Sequence, residues 1–417
     1  MTVAVLESLL KWYERKRPPA LQSIEKRLLY VPASALPYHI SGYTTRTHEV
    51  IRALTEVGTD VRVVTRPGYP WDRGDRVQDT DAVTTLVDNV KYEHVRSPSK
   101  HRPLLMFVIP AAKAIAKAAV REKVSIIHAA SNHENALPAL LAARRLGIPF
   151  SYEMRGLWEL TRASRTPGYE NSSEFLRGLE LEGFVASKAD RVFAISEQLA
   201  RFAQQRWNIP SDRFDLLPNC VDPVRFTSSD PQSIIPNTIG YAGSLMPYEG
   251  LDTLIDAVDV LLREGVNVRV NIVGGGEARS QLEEQVGRLG LSDSIRFPGR
   301  VSPESAREIL GKCTLVCIPR KPYKVCEIIP PIKLVEALAM SKPVIVPDLP
   351  VFRDEIGKSS AGWFFRAGDA KDLAQVIKSA LADPEELSAC ATRAREHSTT
   401  CRCWRDFVPN IVSVGGS

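Results

Sequence analysis

The chain has 417 residues and a mass of 46.2 kDa; 44% of the residues are hydrophobic and 25% are charged. This ordinary globular composition excludes a disordered chain, a collagen-like chain and a small disulfide-stapled domain. At roughly 150 residues per domain, the length predicts two or three domains, each large enough to bury a core. No stretch approaches the roughly 20 uninterrupted apolar residues of a membrane span, and the N-terminus lacks a signal-peptide pattern, so we expect a cytoplasmic protein.

Charge is distributed unevenly along the chain. There are 54 Lys and Arg against 49 Asp and Glu, a net charge of +5. Residues 1–215 hold 31 basic and 24 acidic residues, a net of +7, whereas residues 216–417 hold 23 and 25, a net of −2. The basic first half suits an anionic lipid surface at the inner membrane face or a phosphorylated ligand, or it is ordinary surface variation. The excess is too small to indicate nucleic-acid binding.

No metal and no cofactor are expected. The seven cysteines are odd in number, and their spacings fit no zinc pattern. Cys313 and Cys317 lie in an apolar run, where cysteine behaves as a small hydrophobe. No cluster of aspartates follows the predicted strands, as a divalent-metal site would require.

Residues 1–27 form a basic appendage before the first predicted strand. Residues 3–13 have the apolar spacing of a helix, and residues 15–19 read Arg-Lys-Arg-Pro-Pro. This helix is predicted to lie either on the surface of the fold or against a membrane. A second amphipathic helix is predicted over residues 103–120, because Lys113 and Lys117 interrupt an otherwise apolar run.

After residue 27 the pattern alternates strands and helices. Apolar strand-like runs are predicted at residues 27–31, 60–65, 124–128, 147–152, 189–195, 238–242, 266–273, 295–297, 314–319 and 343–346. Helical spacing separates most of them, so the pattern predicts an α/β fold with parallel sheets covered by helices on both faces.

A Pro-rich linker near residue 220 divides this pattern into two doubly wound halves. The first domain is predicted over residues 28–215 and the second over residues 216–395. Residues 396–417 are predicted to form a tail or a crossover segment. Because ligands of such sheets bind at the carboxyl ends of the strands, we expect the site in a cleft between the halves.

Glycine-containing loops follow several predicted strands. Gly42, between Ser41 and Tyr43, stands at a helix start, where a glycine lets phosphate approach the backbone, although glycine is common at any helix start. In the second half, loops at residues 243–251, 274–277 and 297–301 follow successive strands, so they line one edge of one sheet. None has GxGxxG spacing, and no P-loop or HExxH motif occurs.

The segment over residues 316–340 combines cations, prolines and a helix start. A predicted strand ends at Arg320 and Lys321, and a helix begins near Ile332, where a preceding proline is favourable. Cations beside a helix N-terminus suit a diphosphate. Lys333 and Glu336 share a helical face; the carboxylate suits ribose hydroxyls, or the two residues form an exposed ion pair.

These segments, in this order, resemble the donor half of family-4 retaining glycosyltransferases of the GT-B fold, in a bacterial branch. The most specific piece runs from Pro331 to Ile345 and reads Pro-Ile-Lys-Leu-Val-Glu-Ala-Leu-Ala-Met-Ser-Lys-Pro-Val-Ile. In the first half, the segments at residues 127–131, 152–159 and 217–222 resemble the acceptor half. The resemblance covers about residues 28–405 and implies two Rossmann-like domains facing across a cleft.

The resemblance implies particular donor contacts. Glu336 resembles the second glutamate of a Glu-x7-Glu motif, which holds the donor ribose. The first glutamate falls at Ile328, and Glu327 stands one place early. Other donor-side positions implied in this way are Gly42, Gly243, Ser244, Gly299, Arg300 and Val301.

The diphosphate site departs from the family pattern. The family has an arginine and a lysine in the first donor loop, where this chain has Ser244 and Glu249. Arg320 and Lys321 are the expected replacements, and Lys333 is a further candidate.

The resemblance implies transfer of a sugar from a nucleotide diphosphate sugar to a saccharide or lipid-linked acceptor, in cell-surface polysaccharide or glycolipid synthesis. Without a metal, fixed cations and a helix N-terminus are expected to stabilise the leaving diphosphate. His128 is predicted to contact the sugar or the acceptor, or to be a buried structural histidine. Arg155, Trp158 and Glu159 are predicted to line the acceptor side. A catalytically silent subunit and a sugar-nucleotide epimerase are the alternatives.

Overall fold

The chain folds into two compact units in a computed structural model, which describes residues 3–15, 21–74, 83–228, 230–357 and 359–413. The first unit comprises the described parts of Met1–Ala163, Gly168–Pro218 and Trp404–Ser417. The second comprises those of Ser164–Pro167 and Asn219–Cys403. Most of the basic run at residues 15–19, and the end of the segment at residues 396–417, lie outside the described residues.

The first unit is built on one sheet, which has eight strands within the described residues. Its strands are β1 (Leu28–Val31), β2 (Val61–Val64), β3 (Thr84–Val87), β4 (Val90–Glu93), β5 (Ile126–Ala130), β6 (Phe150–Met154), β7 (Arg191–Ala194) and β8 (Phe214–Leu216). Their order across the sheet is β3-β4-β2-β1-β5-β6-β7-β8, and of these pairs β3–β4 is antiparallel and the others are parallel. The central strands β1, β5 and β6 are buried along their whole length, because helices cover both faces.

One helix precedes the strands of the first unit, and the others follow or separate them. They are α1 (Val3–Arg15), α2 (Gly42–Glu56), α3 (Leu104–Glu122), α4 (His133–Leu146), α5 (Trp158–Ala163), α6 (Ser173–Lys188) and α7 (Glu197–Trp207). The N-terminal helix α1 buries Leu6, Leu10 and Tyr13, spaced like one face of a helix, against α4 and α6. The apolar face of α1 is therefore used inside the first unit.

The second unit repeats the pattern with a parallel sheet of six strands within its described part. Its strands are β9 (Thr238–Ala242), β10 (Arg269–Val273), β11 (Ile295–Gly299), β12 (Leu315–Cys317), β13 (Val344–Pro347) and β14 (Gly362–Phe365), in the order β11-β10-β9-β12-β13-β14. Strand order reverses on either side of β9, so the carboxyl ends of β9 and β12 flank the place where such folds bind ligands.

The remaining helices complete this unit and return the chain to the first. They are α8 (Leu251–Arg263), α9 (Arg279–Leu289), α10 (Pro303–Gly311), α11 (Lys324–Ile328), α12 (Ile332–Ala339), α13 (Pro350–Ile356), α14 (Ala370–Leu381), α15 (Pro384–Cys401) and α16 (Trp404–Phe407). The short helix α16 belongs to the first unit. Among the described residues, no helix combines the length and the apolarity that crossing a bilayer requires.

The architecture confirms the predicted α/β class with two helix-covered sheets, which are parallel except for the β3–β4 pair. Four strands were not predicted, namely the β3–β4 hairpin, β8 and β14, and α11 lies where a loop was predicted. The hairpin and β8 lie at the two edges of the first sheet, and β14 lies at an edge of the second. Edge strands carry a weaker apolar signal because they are less buried.

Candidate functional site

Three glycine loops meet at the carboxyl edge of the second sheet. Gly243 follows β9, Gly274 follows β10, and Gly299 ends β11. The amide of Gly274 donates to Gly299 O at 2.8 Å, and a Cβ on Gly274 would lie 1.9 Å from Gly243 O. The chains approach so closely that Gly274, which has φ +135°, tolerates no side chain. The loops therefore form one continuous edge lined by backbone.

A buried ionic cluster lies behind this edge. Glu249, in a 3-10 turn before α8, is 3% exposed and accepts from Arg320 Nη2 at 3.0 Å and Nε at 3.3 Å. It also accepts from Lys333 Nζ at 2.8 Å. Arg320 Nη1 donates to Ile329 O at 2.8 Å, and Lys333 Nζ donates to the hydroxyl of Tyr241 at 2.7 Å. Two cations thus surround one carboxylate, which leaves a net charge of +1.

The charges of the cluster set one another's protonation. Burial raises the pKa of Glu249, but Arg320 and Lys333 outweigh it and bring the pKa to about 2. Burial lowers the pKa of Lys333, and Glu249 opposes that effect. The pKa of Arg320 is raised because Glu249 overcomes the desolvation of the guanidinium. Glu249 is therefore ionised at neutral pH.

Helix α12 presents its N-terminus near the same cluster. Pro331 is the N-cap residue, and its side chain makes no hydrogen bond to the first amides of the helix. Lys333 is the second residue of this helix, and its ammonium contacts Glu249 and Tyr241. Glu336 lies one turn later and is partly buried. Backbone amides and a cation at one helix start form an arrangement that favours anions.

Two of the other candidate residues lie elsewhere at this edge. Lys321 pairs with Asp252 Oδ2 at 2.5 Å, outside the Glu249 cluster. Glu327 lies on α11, in the segment predicted to be a loop, and its carboxylate pairs with Lys324 at 2.9 Å. The structure brings Arg320 and Lys333 together and leaves Lys321 and Glu327 out of that group.

The loop at the end of β11 carries three of the donor-side positions that the sequence resemblance implies. Gly299 has φ +80°, and the space beside it is bounded by Arg279 Nη1, 3.2 Å from a Cβ built there. Arg300 lies across Gly275, with Nε 2.7 Å from a Cβ built on that glycine. Val301 is 38% exposed. Ser244 supplies its carbonyl to the Tyr241 hydroxyl at 2.9 Å, which anchors the first loop.

The first unit has its own buried network at the ends of β1, β5 and β6. Glu153 is fully buried and accepts from Arg46 Nε at 2.9 Å, Arg155 Nη2 at 2.8 Å and the Tyr30 hydroxyl at 2.6 Å. Burial raises the pKa of Glu153, but the two guanidinium groups hold it well below its usual range. Of these residues Arg155 was predicted from the sequence, whereas Arg46 and Glu153 were missed because they carry no local motif.

Two of the predicted site residues, His128 and Arg155, belong to this network. His128 is completely buried, with Nδ1 2.8 Å from Ser151 Oγ and Nε2 3.4 Å from Glu153. Burial lowers the pKa of His128, so its imidazole is neutral. Arg155 is 7% exposed, and its guanidinium lies 4.5 Å from the centre of the Tyr43 ring. Both residues stand behind the sheet edge rather than on its surface.

The remaining first-unit candidates differ in exposure. Gly42 is exposed at the first position of α2, where Ser41 caps the helix by bonding to Thr44. Trp158, at the start of α5, is 65% exposed. Glu159 is 8% exposed, and its Oε2 has no hydrogen-bond partner among the described residues; burial raises its pKa.

Metal-binding side chains are not grouped in the part of the chain that the structure describes. That part holds no set of three or more His, Cys, Asp or Glu side chains placed to bind a metal ion.

The two helix-covered sheets define two Rossmann-like domains, the second of which has cations and glycine loops at its carboxyl edge, and two sequence families match them. The family described as glycosyl transferases group 1 matches residues 230–397, and the glycosyl transferase 4-like domain matches residues 41–220. Together these matches cover most of the chain. The chain therefore belongs to the family-4-like glycosyltransferases of the GT-B fold, as the sequence resemblance indicated.

Known proteins place the chain among glycosyltransferases. D-inositol 3-phosphate glycosyltransferase of Nocardia farcinica is 24% identical over 229 residues, which are 51% of this chain and 50% of that protein. Sucrose-phosphate synthase of Thermosynechococcus elongatus has a TM-score of 0.75 at 16% identity, covering 92% of this chain and 97% of that chain. Anabaena HepE in complex with UDP and glucose has a TM-score of 0.70 at 17% identity, covering 93% and 99%. These structures show the fold alone, and the chain spans about half the length of the first curated relative.

Proposed function

We propose that the chain transfers a sugar from a nucleotide diphosphate sugar to a saccharide or lipid-linked acceptor, with retention of the anomeric configuration. The observation that carries the proposal is the placement of Arg320 and Lys333 behind the edge where three glycine loops end β9, β10 and β11. Fixed cations and backbone amides suit a diphosphate, whose negative charge grows as the sugar leaves. The Anabaena relative was solved with UDP and with UDP-glucose, which makes a nucleotide diphosphate sugar the natural first candidate.

In the proposed reaction the bond between the anomeric carbon and the diphosphate oxygen breaks. A bond from the acceptor hydroxyl oxygen forms on the same face of the sugar. The acceptor proton passes to an oxygen of the leaving diphosphate, so no enzymatic base is needed. Arg320, Lys333 and the amides at the start of α12 stabilise the leaving group, where a single well-placed donor contributes about 2.7–4 kcal/mol. The proposal assigns this charge stabilisation to the protein and includes no metal.

Other residues of the second unit are proposed to position the donor. Glu336, one turn into α12, holds the ribose hydroxyls. The loop of Gly299, Arg300 and Val301 meets the base through its backbone. Gly243 and Ser244 place the first loop against the phosphates, and the Tyr241 hydroxyl bond to the Ser244 carbonyl supports that role.

The first unit is proposed to receive the acceptor at the carboxyl edge of its sheet. Trp158 is an exposed aromatic ring at that edge and suits stacking on a sugar face. Arg155 and His128 are proposed to act indirectly. They lie behind the edge that receives the acceptor, where they fix Glu153 and the ends of the strands. Curated relatives act, by name, on D-inositol 3-phosphate and phosphatidyl-myo-inositol, so hydroxyl-rich acceptors with a phosphate are the first to test.

A peripheral contact with an anionic membrane is part of the proposal. The exposed face of α3 carries Met106, Lys113, Lys117 and Val120, and the sequence from Lys100 to Arg121 contains no acidic residue. Apolar and basic side chains on one helical face suit an anionic lipid surface. Flotation with liposomes containing phosphatidylserine should carry the protein, and Lys113→Glu/Lys117→Glu should abolish flotation; salt-insensitive binding, or none, would contradict this part.

The proposed reaction is tested first through its donor. Thermal denaturation is measured with UDP, GDP, ADP and their common sugar conjugates, with and without magnesium or EDTA. A ligand at 100 times its Kd should raise the stability of the fold by about 2.7 kcal/mol. We expect one nucleotide to do so without metal, and Arg320→Ala to remove the shift. No shift from any nucleotide would instead favour a catalytically silent subunit.

A further inference from the structure

We infer that Glu249 is a positioning residue: it holds Lys333 and Arg320 in place. The ammonium of Lys333, which lies on α12, can then contact the donor diphosphate beside Gly243. This inference rests on the proposed function and goes beyond it, because it assigns the placement of the cations to a carboxylate, whose charge has the same sign as the ligand. Three features of the cluster support this role: its hydrogen bonds, its packing on Gly243 and its net charge.

The hydrogen bonds leave one direction open for Lys333. Its ammonium has three N–H groups, and among the described residues Tyr241 and Glu249 account for two of them. Both partners are buried, Tyr241 completely and Glu249 to within 3%. The side chain of Lys333 keeps 15% exposure, and we infer that the third N–H is the group that meets a ligand.

The packing fixes where that N–H lies. A Cβ built on Gly243 would come within 2.9 Å of both Cε and Nζ of Lys333. The lysine therefore crosses the first glycine loop at the residue that lacks a side chain. A phosphate that approaches the backbone of this loop meets the ammonium directly.

Arg320 is held by the same carboxylate from the other side. Its Nε and Nη2 donate to the two oxygens of Glu249, and Nη1 donates to Ile329 O. Two cations that share one binding region repel each other, and a carboxylate between them lets both stay charged while buried. Without Glu249, Lys333 would move away from Arg320 and lose its contact with Gly243.

Because the cluster has a net charge, the direction of the change in diphosphate affinity distinguishes a positioning role of Glu249 from a purely electrostatic one. With Glu249 the cluster carries +1, and with a neutral residue at 249 it would carry +2 at a pH where Lys333 stays protonated. If Glu249 acts only through its charge, neutralising it strengthens diphosphate binding. If it acts by positioning, neutralising it weakens binding although the site becomes more positive.

The experiment compares Kd values by calorimetry for the nucleotide diphosphate that stabilises the wild-type protein most, and for the matching monophosphate. Glu249→Gln should weaken diphosphate binding at least about 10-fold, which corresponds to the loss of one charge-assisted hydrogen bond. It should weaken monophosphate binding less. Asp252→Asn is the matched control, because it removes a carboxylate of the same edge without touching Lys333. The control should bind the diphosphate equally or slightly more tightly.

A double-mutant cycle shows whether Glu249 acts through Lys333. Glu249→Gln/Lys333→Met should lose less affinity for the diphosphate than the sum of the two single losses, since the ammonium that Glu249 positions is already gone. Additive losses would overturn the inference. If Glu249→Gln fails to fold, Glu249→Asp replaces it: the charge is kept but the shorter side chain cannot reach both cations, so the same loss is expected.

The outcomes separate the two claims. If the wild-type protein binds no nucleotide diphosphate, the proposed function fails. If it binds one, and Glu249→Gln or Glu249→Asp binds as tightly as wild type or more tightly, the positioning role is wrong and the donor site stands.

Discussion

Lys333 crosses the first glycine loop of the second unit at Gly243, with Cε and Nζ both 2.9 Å from where a Cβ on Gly243 would stand. The glycine also has φ +154°, a backbone conformation that side chains rarely adopt. The absence of a side chain at Gly243 therefore has two consequences: it permits the turn after β9, and it leaves room for Lys333. A substitution at Gly243 should therefore displace Lys333 without changing the charge of the site.

We expect Gly243→Ala to displace Lys333 and to weaken nucleotide diphosphate binding about 10-fold or more, as loss of a hydrogen bond to a charged group would. Gly287→Ala is the matched control, because Gly287 lies in α9 and a Cβ added there would have nothing within 4 Å. The control should bind normally and gain up to about 1 kcal/mol, as alanine favours the helix. Calorimetry with the nucleotide and thermal denaturation measure both. Equal affinities in the two variants would contradict the coupling of Gly243 to Lys333.

Breaking the buried network around Glu153 is expected to destabilise the first unit strongly. Glu153→Gln leaves Arg46 and Arg155 charged and buried without this counterion, which costs about 3–5 kcal/mol. Urea denaturation measures the loss. Glu197→Gln is the control, because it breaks an exposed pair with Arg201 and should cost less than about 1 kcal/mol. Similar losses in the two variants would show that the network contributes little.

The sequence predicted the architecture well and the charge network poorly. Parallel strands buried on both faces are continuous apolar runs, so β5, β6 and β9 could be predicted directly, and their glycine loops marked the binding edge. Edge strands such as β3 lack that signal. The five-residue helix α11 was missed because it is shorter than two turns and lies in a Pro-rich segment.

The pairing of Glu249 with Lys333 shows why side-chain sites are hard to predict from sequence. The two residues are distant in the chain, and the sequence pattern suggested Arg320 with Lys321 because they are neighbours. Adjacent residues at a strand end point in different directions, so Arg320 turns to Glu249 while Lys321 turns to Asp252. The same holds for Arg46, whose partner Glu153 lies on another element.

His94 is expected to make the first unit sensitive to mild acid. It is 2% exposed, its ring nitrogens lie 3.0 Å from Thr65 Oγ1 and 2.9 Å from Thr85 Oγ1, and burial lowers its pKa from 6.5 to about 4. Because the unfolded chain binds the proton more tightly, stability should fall as the pH drops from about 6.5 to 4, by about 3 kcal/mol in all.

Urea midpoints from pH 7.5 to 4.5 test this expectation. His94→Gln keeps a polar side chain and should reduce the dependence over that range, while His128, whose pKa burial also lowers, still contributes. His101→Gln, which removes an exposed imidazole, is the control and should keep the wild-type slope. If His94→Gln and wild type lose stability in parallel, the acid sensitivity has another origin.

Trp158 offers the clearest separation of acceptor binding from stability. Its ring is 65% exposed at the start of α5, so Trp158→Ala removes little packing, and the thermal midpoint should stay within about a degree of the wild-type value. Stacking of an aromatic ring is worth about 0.5–1.5 kcal/mol, so the KM for the acceptor should rise about 2–12-fold. The KM for the donor should not change, because the proposed donor residues lie in the second unit.

Trp12→Ala is the matched control for that change. Trp12 is 50% exposed on α1, in the same unit but away from the carboxyl edge of the sheet. Rates are measured by release of the nucleotide diphosphate, with inositol phosphates and free saccharides as acceptors. A rise in acceptor KM for Trp158→Ala alone places the acceptor at this edge. A rise in acceptor KM in both variants, or in neither, would contradict a contact between the acceptor and Trp158. Removing a ring that touches the acceptor should weaken acceptor binding in that variant alone.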